Sequence, residues 1–85
     1  MIHELKTWDE FMPDIATGKK TFEVRKEDRN FSLGDHVILN GWNMLLSEYT
    51  KDKILALITY KLDGGQFGIK PGYCVLGIKV ERIYY

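Results

Sequence analysis

The spacing of large apolar residues changes from one period to another at Gly18, and this change constrains the fold more than any other feature of the sequence. Four residues before it recur at i, i+3, i+4 and i+7: Trp8, Phe11, Met12 and Ile15. That spacing places them on one face of a helix. After Gly18, apolar and polar residues alternate, which is the period of a β-strand. The sequence therefore predicts one principal helix near residues 8–17 in a chain that is otherwise β.

Both ends of the predicted helix carry local signals. Thr7 and Glu10 have the spacing of a capping box, in which the two side chains bind free N–H groups of the first turn. Gly18 suits the left-handed residue that commonly follows a last turn. Pro13 lies inside the predicted span and removes a backbone donor, so we expect it to bend or divide the helix.

Strand-like segments fill most of the remaining sequence. They are IHELK near the start, the segment from Thr21, residues 36–40 after a turn at Gly34, KILALITYKL, and the terminal YCVLGIKVERIYY. Five short strands in an open sheet would leave exposed edges, which a sheet curled into a barrel avoids. We therefore predict an α+β fold: a small β-barrel of five or six strands with one principal helix after the first strand.

The strand from Thr21 is predicted to be half buried. Phe22 and Val24 occupy alternate positions, so we expect them to face the core. Glu23 and Arg25 occupy the positions between, so we expect them to face solvent, about 7 Å apart and able to pair. If this face is merely solvated, the pair is a surface salt bridge that contributes about 0–1 kcal/mol.

Length and charge limit the possible functions. The 85 residues and 9.9 kDa suit one domain, residues 1–85. Twelve basic and twelve acidic residues give a net charge of zero. The whole chain therefore exerts no attraction on nucleic acid or membrane, and any affinity for a polyanion must come from a local patch.

The sequence predicts a cytoplasmic protein without a membrane partner. The first residues carry charges where an export signal needs an apolar run, and no stretch approaches the length of a membrane span. Cys74 is the single cysteine, which excludes an internal disulfide, and its apolar setting predicts a buried thiol. His3 and His36 lie apart from other metal-ligating residues, so we predict neither a metal nor a cofactor.

The segment DGGQFGIKPG predicts a long loop, since it holds four of the eight glycines and one of the two prolines. Its glycines allow backbone amides to approach a ligand closely. Gln66 offers both a donor and an acceptor, and Phe67 or Tyr73 offers a ring that stacks on a base. The alternative is a barrel connection that needs unusual dihedral angles.

Several side chains near the predicted helix and strand suit anion binding. Arg25 can hold a phosphate or a base edge through two parallel hydrogen bonds. Lys20 can reach either a ligand anion or the carbonyl end of the helix. Glu23 can orient Arg25 or accept from a base amino group. Lys6 and Trp8 flank the helix start.

Trp8 and Lys26 are predicted to contribute less specifically to ligand binding. Trp8 is expected either as a core residue or, if partly exposed, as a surface for base stacking. Lys26 contributes to a positive rim that neighbouring acidic residues dilute, so we expect only modest electrostatic attraction.

The charged segment resembles a known family signature. Gly18, Lys20, Glu23 and Arg25 spell G-x-K-x-x-E-x-R, which is similar to the signature of ASCH (activating signal cointegrator homology) domains, a branch of the PUA-like superfamily. HELKTW, GKKTFEVRKEDRNFSLGD and YKLDGGQFGIKPGYCVLGI resemble, in that order, a compact bacterial and phage group of ASCH-like proteins without a settled function. The resemblance covers roughly residues 3–79.

This resemblance implies a PUA-like barrel with a cleft beside the signature strand for RNA or a nucleoside-like ligand. Some ASCH-like proteins hydrolyse amide-modified cytidine with a lysine, a threonine and a glutamate, and others cleave RNA. Lys20 matches the position of that lysine, whereas Glu23 stands where the threonine would be. An altered chemistry would use Glu23 as general base and Lys20 as electrostatic stabiliser.

We therefore predict an RNA-binding module whose cleft lies between the signature strand and the glycine-rich loop. The predicted ligand-binding residues are Lys6, Trp8, Lys20, Glu23, Arg25, Lys26, Gln66 and Tyr73. The alternative is a small hydrolase of a modified nucleoside or RNA, with Lys20 and Glu23 as the catalytic candidates. A second alternative is a protein-interaction adaptor that uses the terminal ERIYY.

Overall fold

A computed structural model describes residues 1–84 as a short helix and five strands. The elements are β1 (Ile2–Trp8), α1 (Met12–Ala16), β2 (Phe22–Lys26), β3 (His36–Asn43), β4 (Glu48–Asp63) and β5 (Tyr73–Tyr84). A single turn of 3-10 helix, Asp9–Phe11, leads into α1. The predicted α+β class is confirmed. Tyr85, part of the predicted adaptor surface, lies outside the described residues.

The five strands form one mixed sheet in the order β1-β3-β4-β5-β2. Within residues 1–84, only the β1–β3 pair is parallel, and the other three pairs are antiparallel. The sheet curls into a half-barrel, so that its two edge strands, β1 and β2, line opposite sides of one cleft. A hydrogen bond of 3.0 Å from Arg25 Nη2 to Thr7 Oγ1 joins these edges across the gap.

Alternating residues of the strands fill the inside of the half-barrel. On β1 the inward positions are His3, Leu5 and Thr7, and all three are buried. Among the described residues, twelve apolar side chains form the core: Leu5, Met12, Ile15, Phe31, Val37, Leu39, Ile54, Ala56, Ile58, Cys74, Leu76 and Ile78. Burial of each large aliphatic side chain contributes about 1.5–3 kcal/mol, and α1 closes the core by contributing two of them.

The helix is shorter than the predicted span of residues 8–17. Strand β1 continues through Trp8, so Thr7 is a strand residue and makes no capping box. Pro13 lies in the first turn of α1, where its missing N–H costs nothing. The predicted stop at Gly18 is confirmed, because its φ of +81° is the left-handed conformation that glycine adopts without strain.

The predicted facing of β2 is wrong. Phe22 and Val24 are 46 % and 57 % exposed, whereas Glu23 is only 5 % exposed. Alternation defines the two faces of a strand but not which of them is inside. Glu23, on the inner face of the edge strand, pairs with the cations of Lys20 and Arg25. The ammonium of Lys20 also lies 5.0 Å from the centre of the Phe22 ring, which is exposed.

The glycine-rich segment is a loop between β4 and β5, as predicted. Backbone hydrogen bonds close it tightly, from Gly64 N to the carbonyl of Tyr73 and from Gly65 N to the carbonyl of Ile69. A Cβ on Gly64 would lie 2.2 Å from the Lys70 carbonyl oxygen, so only glycine fits there. These bonds favour the structural alternative, a compact barrel connection.

The segment between β2 and β3 is anchored by two charged clusters. Lys61 forms an ion pair with Glu27 and donates a hydrogen bond of 3.0 Å to the carbonyl of Phe31. Asp35 accepts hydrogen bonds from the backbone N–H of Ser32 and pairs with His3 Nε2 at 2.9 Å. Within residues 1–84, no helix is long and apolar enough to cross a membrane.

We expect Asp35 to make folding stability depend on acid. Its hydrogen bond with His3 lowers the pKa of Asp35, and this outweighs the partial desolvation that would raise it; the N-terminal ammonium lowers it further. Because the pKa is lower in the folded state, the stability contributed by this carboxylate is present above about pH 4 and is lost as the pH falls through the folded value.

Urea midpoints of the wild-type protein and Asp35→Asn at pH 7, 4 and 2.5 measure this effect. The difference between them should be largest at pH 7 and shrink at pH 2.5. The lowered pKa of Glu27 affects both proteins equally and cancels in the comparison. A difference that stays constant over the three pH values would contradict the assignment.

Candidate functional site

A cleft of about 210 Å³ separates the edge strands β1 and β2. Residues from β1, the 3-10 turn and β2 line it: Lys6, Thr7, Trp8, Phe11, Glu23, Val24 and Arg25. Ligand pockets for drug-sized molecules have volumes of about 300–1,000 Å³. This cleft is therefore sized for part of a ligand, such as one planar ring or one phosphate, rather than for a whole nucleotide.

Glu23 is the buried centre of the cleft's charged cluster. Its Oε1 accepts a hydrogen bond of 2.9 Å from Lys20 Nζ, and its Oε2 accepts one of 3.1 Å from Arg25 Nε. A buried carboxylate needs such partners because an unpaired charge away from water is strongly unfavourable. Both oxygens of Glu23 are thus engaged by cations of its own chain.

Arg25 is held from two sides. Its Nε donates to Glu23 and its Nη2 donates to the buried hydroxyl of Thr7 at 3.0 Å. Its Nη1 has no hydrogen-bond partner among residues 1–84. The guanidinium is planar, so fixing two of its nitrogens also fixes the direction of the third. Arg25 therefore lines the cleft with a pre-oriented donor group.

Lys20 contacts the cleft indirectly, through Glu23. Its Nζ donates hydrogen bonds to the backbone carbonyl of Phe22 at 2.7 Å and to Glu23, and it does not line the cleft itself. It lies 5.3 Å from the centre of the Phe11 ring, a cation–π distance. The position after the helix stop thus makes Lys20 a positioning residue for Glu23.

Two aromatic rings form one wall of the cleft. Trp8 and Phe11 stack with ring centres 6.1 Å apart and planes 9° apart. Trp8 is 43 % exposed, so part of its indole is accessible to a ligand. Of the two expectations for Trp8, a core residue or an exposed stacking surface, the structure favours the second.

Lys6 lies at the mouth of the cleft on the outer face of β1. Its Nζ is 3.8 Å from the ring centre of Trp42 and 5.9 Å from that of Tyr49. The two rings contact each other edge to face at 4.8 Å. The charge of Lys6 is therefore held over aromatic faces instead of being spread through solvent.

The cleft brings together four predicted site residues, Lys6, Trp8, Glu23 and Arg25. Lys26 lines a neighbouring hollow that also includes Lys6 and Arg25. Gln66 and Tyr73 do not line the cleft, so the predicted wall from the glycine-rich loop is replaced by β1. These two face their own loop: Gln66 Nε2 donates to the carbonyl of Asp63, and the Tyr73 ring lies 5.5 Å from Lys70 Nζ.

Three lining residues were missed by sequence reasoning: Thr7, Phe11 and Val24. The sequence patterns predict a helix cap for Thr7 and place Phe11 on the shared apolar face of the helix. A sequence signal for Thr7 does exist, since it follows His3 and Leu5 at the same strand period and thus shares their buried face. No group of three metal-ligating side chains lies within reach of one ion in the described part of the chain.

Comparison with known proteins identifies a family. A family model described as "Domain of unknown function (DUF3850)" matches residues 2–78. The chain therefore belongs to this family. The matched range contains the three sequence blocks noted above and every residue that lines the cleft. The resemblance to ASCH domains stays a prediction.

A phage protein is also similar to the chain. It is the "Uncharacterized 12.9 kDa protein in GpA 3'region" of Escherichia phage P2, 40 % identical over 58 residues. The match covers 68 % of this chain and 51 % of the phage protein, so the chain spans about half the length of that relative. The relative's name assigns it no activity.

Substitution of Glu23 should destabilise the fold more than its place on an edge strand suggests. In Glu23→Ala, Lys20 and Arg25 lose their shared carboxylate, and the loss of charged hydrogen bonds costs about 1.5–3 kcal/mol of unfolding free energy each in typical cases. Val24→Ala, on the exposed face of the same strand, is the matched control and should cost less than about 1 kcal/mol.

Urea unfolding of the two variants measures the difference. A cost for Glu23→Ala no larger than that for Val24→Ala would mean that the ion cluster does not hold β2 in place.

Proposed function

We propose that this member of the family binds single-stranded RNA, with the cleft between β1 and β2 as the site that takes a base or phosphate. The proposal includes an ASCH-like, PUA-like architecture, for which the G-x-K-x-x-E-x-R segment and the curled sheet are the supporting observations. A soluble cytoplasmic setting is part of the same proposal.

The observation that carries the proposal is the fixed guanidinium of Arg25 beside the exposed indole of Trp8. Arg25 has two nitrogens engaged by Glu23 and Thr7 and a third without a partner in the described chain. A donor that is already oriented loses little side-chain entropy on binding, which favours affinity. The indole supplies the flat apolar surface on which an unpaired base stacks.

Local charge supports an anionic ligand although the chain's net charge is zero. Lys20 and Arg25 both pair with the carboxylate of Glu23, and a third cation, Lys6, lines the same cleft at its mouth. An excess of positive charge in a partly enclosed cleft attracts phosphate groups at short range. Because the net charge of the chain is zero, the residues outside this cluster carry a net negative charge, which favours a specific site over tight general binding.

The state of Glu23 favours binding over catalysis. A general base must reach a substrate proton with a carboxylate oxygen. Both oxygens of Glu23 already accept hydrogen bonds from Lys20 and Arg25. In the binding proposal this carboxylate serves to orient the two cations.

One observation favours hydrolysis as a second candidate. The hydroxyl of Thr7 reaches the Lys20–Glu23–Arg25 cluster from β1. This hydrogen-bonded cluster thus unites a lysine, a threonine and a glutamate, the three residue types that some ASCH-like hydrolases of amide-modified cytidine use, although the threonine comes from a different place in the chain. In that case Thr7→Val and Glu23→Gln should each abolish product formation from a panel of modified cytidines.

Arg25→Ala should weaken RNA binding by about 1–3 kcal/mol, because it removes the donor group of the cleft. Fluorescence anisotropy with a labelled eight-nucleotide single strand, as RNA and as DNA, measures the loss and the preference for the 2′-hydroxyl. Arg25→Lys keeps the charge without the planar fork and should recover only part of the affinity.

Lys79→Ala is the matched control, since Lys79 is an exposed cation on β5 that does not line the cleft. Equal losses for Arg25→Ala and Lys79→Ala would reduce the effect to general charge. Product formation that depends on Glu23 and Thr7 would favour the hydrolase. Failure of the wild type to bind or convert any ligand would favour the adaptor.

A further inference from the structure

The cleft continues onto the outer face of the sheet. A second hollow, of about 170 Å³, shares Lys6 and Arg25 with the cleft. A third, of about 630 Å³, extends from Lys6 to β4. Lys6 lines all three, and Arg29 lines the second and third. The three hollows adjoin one another through these shared residues, and we call them together the outer groove, from β2 across β1 and β3 to β4.

An aromatic row crosses this groove. Trp8 on β1 is in register with Trp42 on β3, which is in register with Tyr49 on β4. Trp8 and Tyr49 are exposed, and neighbouring strands lie about 4.8 Å apart, so the row extends over roughly 10 Å. Rings at this spacing offer separate stacking surfaces for more than one base.

A basic row accompanies the aromatic one. Lys6 on β1 is in register with Asn40 on β3, which is in register with Lys53 on β4. Arg29 lines the same hollow as Lys6 and also pairs with Asp28, a residue of the second hollow, at 3.7 Å. The carboxylate in the third hollow, Glu4, accepts a hydrogen bond from the Asn40 amide at 3.3 Å. The third hollow is thus lined by three cations and by one carboxylate that already accepts a hydrogen bond.

We infer that the ligand is an oligonucleotide strand of at least three nucleotides, not a free nucleotide, and that it runs along the outer groove from Arg25 to Tyr49 and Lys53. This inference rests on the proposed function and extends it from one cleft to a path. A free nucleotide engages only one end of a groove that spans four strands. A strand places a base on Trp8, phosphates along Lys6 and Arg29, and a further base on Tyr49.

The alternation of aromatic rings and cations indicates which class of ligand fits the outer groove. Single-stranded nucleic acid carries a flat base and a negative phosphate in every repeat, and proteins bind it with stacked rings beside a positive groove. An acidic peptide matches the cations but has no use for the aromatic row. Charge and ring placement together therefore favour a nucleic-acid strand over an acidic peptide.

A length series tests the path. Calorimetry would measure binding of uridine 5′-monophosphate and of oligouridylates of two, three, four and six nucleotides to the full chain. Affinity should rise at least about ten-fold from the mononucleotide to the tetranucleotide and then level off. Poly-glutamate of matched charge should bind more weakly than the hexanucleotide.

Substitutions of Tyr49 and Lys53, at the β4 end of the outer groove, test the path of the strand. Tyr49→Ala and Lys53→Ala should each reduce hexanucleotide affinity about five-fold or more without changing mononucleotide affinity, whereas Arg25→Ala should weaken both. Lys53→Ala should also reduce the slope of log affinity against log salt concentration by about 0.7, the value of one phosphate contact. Lys79→Ala again serves as the control. Both far-end side chains line the groove, and circular dichroism verifies that the variants remain folded.

The outcomes separate this inference from the proposed function. If the mononucleotide and hexanucleotide bind equally well, the path is wrong while the cleft stands as the site for one base or phosphate. If length matters but Tyr49→Ala and Lys53→Ala have no effect, the strand follows another route and the inference is overturned. Equal binding of poly-glutamate overturns the choice of occupant. Binding of no nucleotide of any length overturns both proposals.

Discussion

The contact on which the rest of the site depends is the hydrogen bond between Arg25 and Thr7, held in place by Glu23. Curling a five-stranded sheet brings its edges together but does not pair their backbones. Here side chains bridge the edges instead, at 3.0 Å. This arrangement leaves a gap that solvent and ligand can enter, and it explains why buried charge lies at a position where an apolar core residue would otherwise be expected.

The same contact links stability to recognition. Glu23 compensates Lys20 and Arg25 in a partly buried setting, and removal of one partner would leave the others unsatisfied. The guanidinium that is fixed by this compensation is also the donor that lines the cleft. The aromatic pair of Trp8 and Phe11 adds the apolar wall. Fold and candidate site thus share the same few side chains.

The sequence predicted the number and kind of elements because apolar periodicity is set locally. The strands, the glycine-rich loop and the end of the helix at Gly18 all follow from neighbouring residues. The buried face of β2 could not be predicted in this way, because alternation does not show which of the two faces is inside, and only contacts with the rest of the fold decide it. The predicted start of the helix was wrong for a similar reason. The spacing of Thr7 and Glu10 suits a helix cap, but the pairing of β1 with β3 extends the strand through Trp8.

The candidate site was predicted in part. Arg25 and Trp8 follow from chemistry that is visible in their residue types, whereas the partnership of β1 with β2 depends on curvature of the whole sheet.

That curvature makes the cleft a property of the entire chain. Every residue that lines it lies within residues 6–25, yet β1 pairs only with β3 and β2 pairs only with β5 among the described strands. The two walls are therefore neighbours along the chain and opposite ends of the sheet. A peptide of the first 26 residues would carry all the side chains and none of the geometry, so the site cannot be transplanted as a linear segment, and during folding it is completed only when the last strand has docked.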